Sequence, residues 1–454
     1  MELFSVILFV LVIGFVSLHL YNSLSYYLEK ININKSNTVS EFKGFSILLP
    51  FYNESQIIQT ALDGISNTSY PNIEYFFIND GSTDNTLEIL KDKLQLKPIS
   101  RKNTLQLKHK QIFNLYESKK IPNIYVIDKA NGGKADSLNA GINLATKDYI
   151  VTLDADSILH KEALYIMNEE LNSDSKIIAL GGSVQLLQGV KGIKNNIVSM
   201  GFTSSALLNS QILEYLKGFF IYKLSLSKMN ALAIISGCFG VFHKNTLFKV
   251  EGFRTTVGED IDVTIKFQNY AKKHNKKLKY IPKALCFTEG PEGWKDYTKQ
   301  RIRWQKAFLD AIWFNKANFF NALFSETLSF FLVIEAFVIS ILANLISSIS
   351  LFVILYKLIM NQPLGTVFYF LLLIGFIISI INTITAFIVA KKNNIIFNNI
   401  NIGKFIMLFL FEFIFYRFFN IFTLIVGSIS YIFNKEGWNK VSRSGRIYEF
   451  RKAS

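Results

Sequence analysis

The chain has 454 residues, half of them apolar and 42 of them Phe, with only 18% charged side chains and a net charge of +15. Four apolar stretches (3–28, 328–356, 366–390 and 405–433) each exceed the roughly 20 helical residues that cross a bilayer, which excludes an ordinary soluble enzyme. Two cysteines without CxxC or Cys/His spacing exclude a disulfide framework or a zinc finger, and the scattered basic residues lack any nucleic-acid recognition motif and suit anionic inner-leaflet lipid instead.

Residues 1–28 read as an N-terminal transmembrane helix. No basic region precedes the apolar run and no small-x-small site closes it, unlike a secretory leader. Lys30, Lys35 and Lys43 follow it and place the next segment in the cytoplasm. From 44 to 293 strand-like and helix-like runs alternate, the pattern of an α/β domain. Phe45–Phe51 reads as a buried strand and Asn53-Glu54-Ser55 as a helix start. Ile73–Ile78 is a second strand, closed by Asn79-Asp80-Gly81-Ser82-Thr83-Asp84, with Asp84 placed to cap the next helix. Residues 97–123 are basic and interrupted by proline, and read as a surface insertion. Ile124–Ile127 is a third strand, and Asn131-Gly132-Gly133-Lys134 turns into a helix. Tyr149–Leu153 is a fourth, delivering Asp154-Ala155-Asp156.

Further strands are expected over 177–187, 234–242 and 279–286, and an amphipathic helix after Gly258-Glu259-Asp260. Trp294–Phe314 mixes aromatic and basic residues at helical spacing, which suits a helix lying in the membrane interface. Residues 294–325 then form an interfacial segment, 326–434 a C-terminal transmembrane region and 435–454 a basic cytosolic tail. Glu412 and Arg417 interrupt the stretch 405–433, and charges are costly at mid-membrane. Two full crossings are therefore expected here, with 405–433 partly interfacial or broken. Glu335 is expected to face the protein interior.

Residues i and i+2 of a strand share a side, so Asp154 and Asp156 can face one ligand. Two such carboxylates repel unless a cation or several donors lie between them, and hard Mg²⁺ or Mn²⁺ takes ligands of this type. A strand ending in an Asp-rich turn is the plainer alternative. Asp80, the Asp154/Asp156 pair and Glu259/Asp260 all fall at strand ends or helix starts, and an open parallel sheet binds ligands beyond its strands' carboxyl ends. Gly132-Gly133-Lys134 adds open backbone and a cation at a helix start, a good place for phosphate.

In order, the segments Leu-Pro-Phe-Tyr-Asn-Glu54, Asn-Asp80-Gly-Ser-Thr-Asp84, Asn131-Gly-Gly-Lys134, Asp154-Ala-Asp156, Ser236-Gly-Cys238-Phe-Gly240, Gly258-Glu259-Asp260 and Gln300-Arg-Ile-Arg303-Trp304 resemble family-2 glycosyltransferases. The resemblance covers about 44–310 and is nearest the membrane-embedded, processive branch that includes synthases of poly-β-1,6-N-acetylglucosamine, hyaluronan, chitin and cellulose. It implies an α/β GT-A (Rossmann-like) cytosolic domain with flanking transmembrane and interfacial helices. Glu54, Asp80, Lys134, Asp154, Gln300 and Arg303 are then implied in nucleotide-sugar binding, and Asp156 in metal ligation, with Asp154 on the metal or the ribose. Asp260 is implied as the general base, and Glu259, Cys238 and Trp304 at the acceptor. Trp304 either stacks on sugar or anchors the interface helix; Cys238 suits packing better than reactivity. Asn79 stands where the family often has Asp. His160 and His243 read as surface or satisfied polar residues.

An inverting transfer needs a base within reach of the acceptor hydroxyl and neutralisation of the departing diphosphate. Glu259 beside Asp260 is expected to raise one carboxyl's pKa if both are desolvated. The expected cofactor is Mg²⁺ or Mn²⁺. The expected partners are a nucleotide-sugar donor (UDP-GlcNAc foremost), a growing glycan or lipid acceptor and membrane lipids, with no nucleic acid and with room for an accessory membrane subunit. The expected product is a β-linked extracellular polysaccharide. Single-sugar transfer to a lipid or lipid-linked acceptor is the alternative, and an inactive accessory subunit a third.

Overall fold

The computed structural model describes residues 2–29, 41–66, 68–194, 196–316, 327–334, 356–357, 359–363, 365–398 and 400–433. Glu335, the basic tail and most of the 328–356 stretch lie outside the described residues. Strands β1 (Phe45–Phe51), β2 (Ile73–Asn79), β3 (Leu96–Pro98), β4 (Ile112–Ser118), β5 (Ile124–Lys129), β6 (Tyr149–Thr152), β7 (Ile158–Leu159) and β8 (Ile177–Leu186) are followed by β9 (Val190–Lys194), β10 (Ile197–Met200), β11 (Gly240–His243), β12 (Lys277–Thr288) and β13 (Ile395–Phe397). Ten of them form one sheet in the order β3-β4-β5-β2-β1-β6-β11-β8-β12-β7.

The centre of the sheet is parallel: β1 pairs in parallel with β2 and β6, and β2 with β5. Such strands are covered on both faces and need apolar residues in succession. Accordingly β2 and β8 are buried along their whole length. The sheet is mixed rather than wholly parallel, because β11 runs antiparallel between β6 and β8. Gly240 at its start lies opposite Thr152 at the end of β6, so residues 236–239 arrive beside Asp154. That approach shortens the strand expected over 234–242 to Gly240–His243.

Helices α1 (Glu2–Leu28), α2 (Ile58–Ser66), α3 (Thr86–Leu94), α4 (Lys134–Leu144), α5 (Ala163–Ser173), α6 (Ala206–Lys217), α7 (Leu224–Lys228), α8 (Lys244–Lys249), α9 (Glu259–Lys273) and α10 (Trp294–Phe314) complete the domain and its first membrane-facing elements. α6 passes into α7 through a π-helical turn, Gly218–Lys223. Asp84 takes the Thr86 amide at 3.0 Å, at the start of α3.

The 97–123 stretch, expected as a surface insertion, carries β3 and β4, which extend the sheet edge. Of its two prolines, Pro98 contributes to this edge without breaking it, since it sits on the outermost strand where no ladder donor is required. Arg101 ties the stretch inward through Glu74 at 2.7 Å, over the rings of Tyr125 and Phe76. Burial alone would raise the Glu74 carboxyl's pKa; bonds from Ser46, the Thr146 amide and Arg101 outweigh it and hold the group below its ordinary value.

Among the described residues, three helices are long and apolar enough to cross a membrane: Phe9–Leu28, Leu373–Lys392 and Ile402–Phe433. Lys392 donates to the carbonyls of Tyr26, Tyr27 and Glu29, closing the end of α1, and β13 just beyond pairs with β10. Hence α1 and the 366–392 helix meet the α/β domain at the same level. The 402–433 helix is interrupted by a π-helical turn at Glu412–Tyr416, where Glu412 meets Lys217 of α6 at 3.3 Å. From Arg417 it runs alongside α10 and parallel to it. Tyr297 bonds Asn420, Gln305 donates to Ser428 at 3.1 Å and Tyr431 to Asp310 at 3.4 Å. Gly427 permits the approach, because a Cβ there would lie 2.8 Å from the Gln305 Cβ.

Candidate active site

A cavity of about 1320 Å³ opens beyond the carboxyl ends of β1, β2 and β6. Each residue that the resemblance implies in binding or catalysis reaches its wall: Glu54, Asp80, Lys134, Asp154, Asp156, Cys238, Glu259, Asp260, Gln300, Arg303 and Trp304. The sheet brings the first five from consecutive turns, α9 brings Glu259 and Asp260 in its first turn, and α10 brings the last three.

Asp80 builds the turn next to it. Its carboxylate accepts from the Gly132 amide at 2.9 Å, the Gly133 amide at 2.7 Å and Lys129 Nζ at 2.6 Å. Gly133 has φ of 88°, a region that favours glycine, so the Gly132-Gly133 pair can bend around Asp80. Lys129 also meets Asp136 at 2.6 Å, and its side chain is 0% exposed. A fully buried cation between two carboxylates is not evident from the sequence; the signal is a Lys, directly after Asp128, closing a strand that begins as an apolar run, Ile124–Lys129. Asn79 is held by Asp128 at 2.8 Å and takes the Ser82 amide at 3.0 Å, so the amide at this position shapes the turn.

Lys134, the first residue of α4, crosses to Asp154 at 2.6 Å and Glu259 at 3.3 Å. Burial would lower its pKa, but the surrounding carboxylates of Asp154, Glu259 and Asp260 outweigh that and keep it a cation. Gly237 fits beneath, its amide donating to Asp260 at 3.1 Å, and a Cβ there would sit 2.9 Å from Lys134 Nζ. The other Asp260 oxygen takes the Ile261 amide at 2.9 Å. Glu259 is 9% exposed, and burial pushes its pKa up, against the pull of Lys134 and with the push of Asp260. The upward shift therefore falls on Glu259, with desolvation its first cause.

Asp156 is 8% exposed and meets the hydroxyls of Ser157 and Thr288, each at 3.3 Å. Thr288 arrives because β12 runs parallel to β8 to its last residue. Two carboxylates with hydroxyl neighbours and a Lys beside one of them form an all-oxygen donor set, which fits a hard divalent cation sharing its coordination with phosphate. Among the described residues no third His, Cys, Asp or Glu completes a cage with them.

On α10, Gln300 Oε1 is buried at the cavity with no protein partner among the described residues, an acceptor left for a ligand donor. Trp304 is 40% exposed, and Arg301 lies over its ring at 4.3 Å. Cys238 is buried, and that desolvation pushes its thiol to about 12, so it packs rather than reacts. His160, expected at the surface or satisfied, is buried; its Nδ1 accepts from the Glu162 amide at 3.3 Å while Nε2 has no partner among the described residues, and desolvation lowers its pKa to about 4.

A partly parallel sheet with an Asp-x-Asp turn at the end of β6, and a reversed strand beside it, is the GT-A arrangement of nucleotide-sugar transferases. The same fold is found in a mannosyltransferase, PcManGT from Pyrobaculum calidifontis, in complex with GDP-Man and Mn²⁺. That structure matches with a TM-score of 0.50 and 17% identity over 94% of this chain and 100% of that one. The models of glycosyl transferase family 2 and glycosyl transferase family group 2 match residues 46–247 and 149–388. The chain belongs to the family-2 glycosyltransferases.

Among curated relatives, a poly-beta-1,6-N-acetyl-D-glucosamine synthase of Staphylococcus epidermidis is 33% identical over 266 residues, 58% of this chain and 54% of the relative. One of Staphylococcus aureus (strain COL) is 30% identical over 313 residues, 69% of this chain and 65% of the relative. The chain thus spans between about half and two thirds of the length of the curated relatives it matches.

Proposed function

We propose that the protein is a membrane-bound inverting glycosyltransferase that uses a nucleotide-diphosphate sugar, UDP-GlcNAc foremost, to build a β-linked polysaccharide. The observation that carries this reading is the convergence of Lys134, Asp154, Asp156 and Asp260 with Gln300, Arg303 and Trp304 on one cavity. The likeness to poly-N-acetylglucosamine synthases supports the choice of sugar and product.

Glu54 and the Asp80 turn bind the nucleoside, and Lys134 meets the diphosphate, exchanging its contact with Asp154 for phosphate oxygen. Asp156, with Asp154, would hold Mg²⁺ or Mn²⁺, which when bound would supply positive charge against that of the departing nucleotide. Asp260 accepts the proton of the acceptor hydroxyl while that oxygen bonds to the sugar's anomeric carbon, and the bond from that carbon to the diphosphate breaks on the opposite face. Gln300, Arg303 and Trp304 close over the diphosphate and the acceptor end, with Cys238 and Glu259 lining the acceptor side.

α1 and the 366–392 helix cross the membrane with the catalytic domain in the cytoplasm. The 417–433 segment lies in the interface beside α10, since it follows that charged helix from Tyr297 to Asp310. Incubating the purified full chain with labelled UDP-GlcNAc and Mn²⁺, then sizing the product, tests the reading. A polymer is expected; a single-sugar glycolipid would replace it with the lipid-acceptor reading, and no transfer across a donor panel would end both.

A further inference from the structure

Arg301 stands inside the Gln300–Trp304 motif, but its side chain runs into protein, whereas Gln300, Arg303 and Trp304 line the cavity. Its side chain is 9% exposed and forks onto Glu214 of α6, with Nη1 to Oε1 at 2.6 Å and Nη2 to Oε2 at 2.9 Å. The same guanidinium lies over Trp304 at 4.3 Å and Tyr297 at 4.6 Å. Glu214 in turn accepts a hydrogen bond from the hydroxyl of Tyr416, the last residue of the π-helical turn in the C-terminal helix. One helical turn before Arg301, Tyr297 is fully buried and donates to Asn420. Two turns of α10 are thus tied to the same short segment, 416–420.

The geometry points to a relay, Tyr416 to Glu214 to Arg301 to Trp304, in which Arg301 and Glu214 are positioning residues that fix how α10 presents Gln300, Arg303 and Trp304 to the cavity, with the C-terminal helix as the anchor. A planar fork of two parallel bonds fixes direction as well as distance. Held this way, the guanidinium covers one face of the indole and leaves the other for the acceptor sugar. The π-helical turn belongs to this device. Its widened backbone lies between Glu412, which meets Lys217, and Tyr416, which meets Glu214, so both ends of the turn contact α6. Glu214 itself reaches the cavity wall, yet both its oxygens are engaged by Arg301, which suits holding rather than proton transfer.

The inference rests on the glycosyl-transfer reading above. It is tested in the full-length protein with Tyr416→Phe, Glu214→Gln and the double variant, each assayed for kcat and donor KM alongside unfolding temperature. Mispositioning lowers kcat far more than it weakens donor binding, because Glu54, the Asp80 turn and Lys134 meet the donor from the sheet and only Gln300 and Arg303 reach it from α10. Tyr416→Phe, which removes one hydroxyl, is expected to lower kcat about fivefold, and Glu214→Gln about a hundredfold, with donor KM within about twofold of wild type. In the double variant kcat should fall no further than in Glu214→Gln alone, since both act through one relay. Unchanged kcat, a fall that only follows the fraction of folded protein, or losses that multiply in the double variant would each overturn the relay. A wild-type protein inactive in the same assay would instead remove the glycosyl-transfer reading.

Discussion

The two sides of the cavity are built by different means. On the donor side, Asp80, Gly132, Gly133 and Lys134 are set by turns at the ends of adjacent strands, and backbone amides do much of the holding. On the membrane side, α10 is wedged between α6 and the C-terminal helix by side chains far apart in sequence: Arg301 with Glu214, Tyr297 with Asn420, and Asp310 with both Arg254 and Tyr431. The carboxyl edge of the sheet thus faces a helix whose placement depends on α6 and the apolar C-terminal helix. Under the proposed function, most donor contacts and the placement of the acceptor are then expected to be separable.

The sharpest way to break that separation is to remove the carboxylate proposed as the base. Asp260→Asn should cut turnover about a thousandfold while donor affinity, read by calorimetry, stays close to wild type; normal turnover would refute the assignment. Next in size is the donor-side scaffold. Lys129→Met leaves Asp80 and Asp136 facing each other in the interior, and removing one partner of a buried ion pair costs about 3–5 kcal/mol. The unfolding temperature should drop steeply, and an unchanged one would show the turn to be self-supporting.

A smaller effect belongs to the sheet edge. Arg101→Ala removes a charge-assisted bond to Glu74 and should destabilise the domain by about 1.5–3 kcal/mol. Glu74 has a folded-state pKa below its ordinary value, so its contribution is present above that value and lost as pH falls through the folded pKa. Arg101→Ala should therefore move the acid limb of the stability profile to higher pH. The smallest effect is one of no change. Burial raises both thiols, Cys238 to about 12 and Cys286 well above its ordinary value, so neither should react with a thiol reagent at pH 8 before unfolding.

The same contrast explains what was legible in the sequence. Asp154-Ala-Asp156 and Gly132-Gly133-Lys134 are local: each motif lies within a few residues, and the alternation of strand and helix tells where it falls. The boundaries of α10, Trp294–Phe314, followed equally well from aromatic and basic spacing. The strands within 97–123 were not legible, because a strand at a sheet edge needs neither a continuous apolar run nor freedom from proline. Lys129 was missed because a buried Lys looks like any other until its two carboxylates are found. The Glu214–Arg301–Tyr416 relay joins positions 87 and 202 residues apart, and no local spacing records that.

The most direct measurement is the structure of the full chain with UDP and Mn²⁺ bound. The diphosphate is expected against Lys134 and the ion on Asp156, with Asp260 facing open cavity toward Trp304. An ion held away from Asp154 and Asp156, or a nucleotide outside the Asp80 and Gly133 turns, would contradict it.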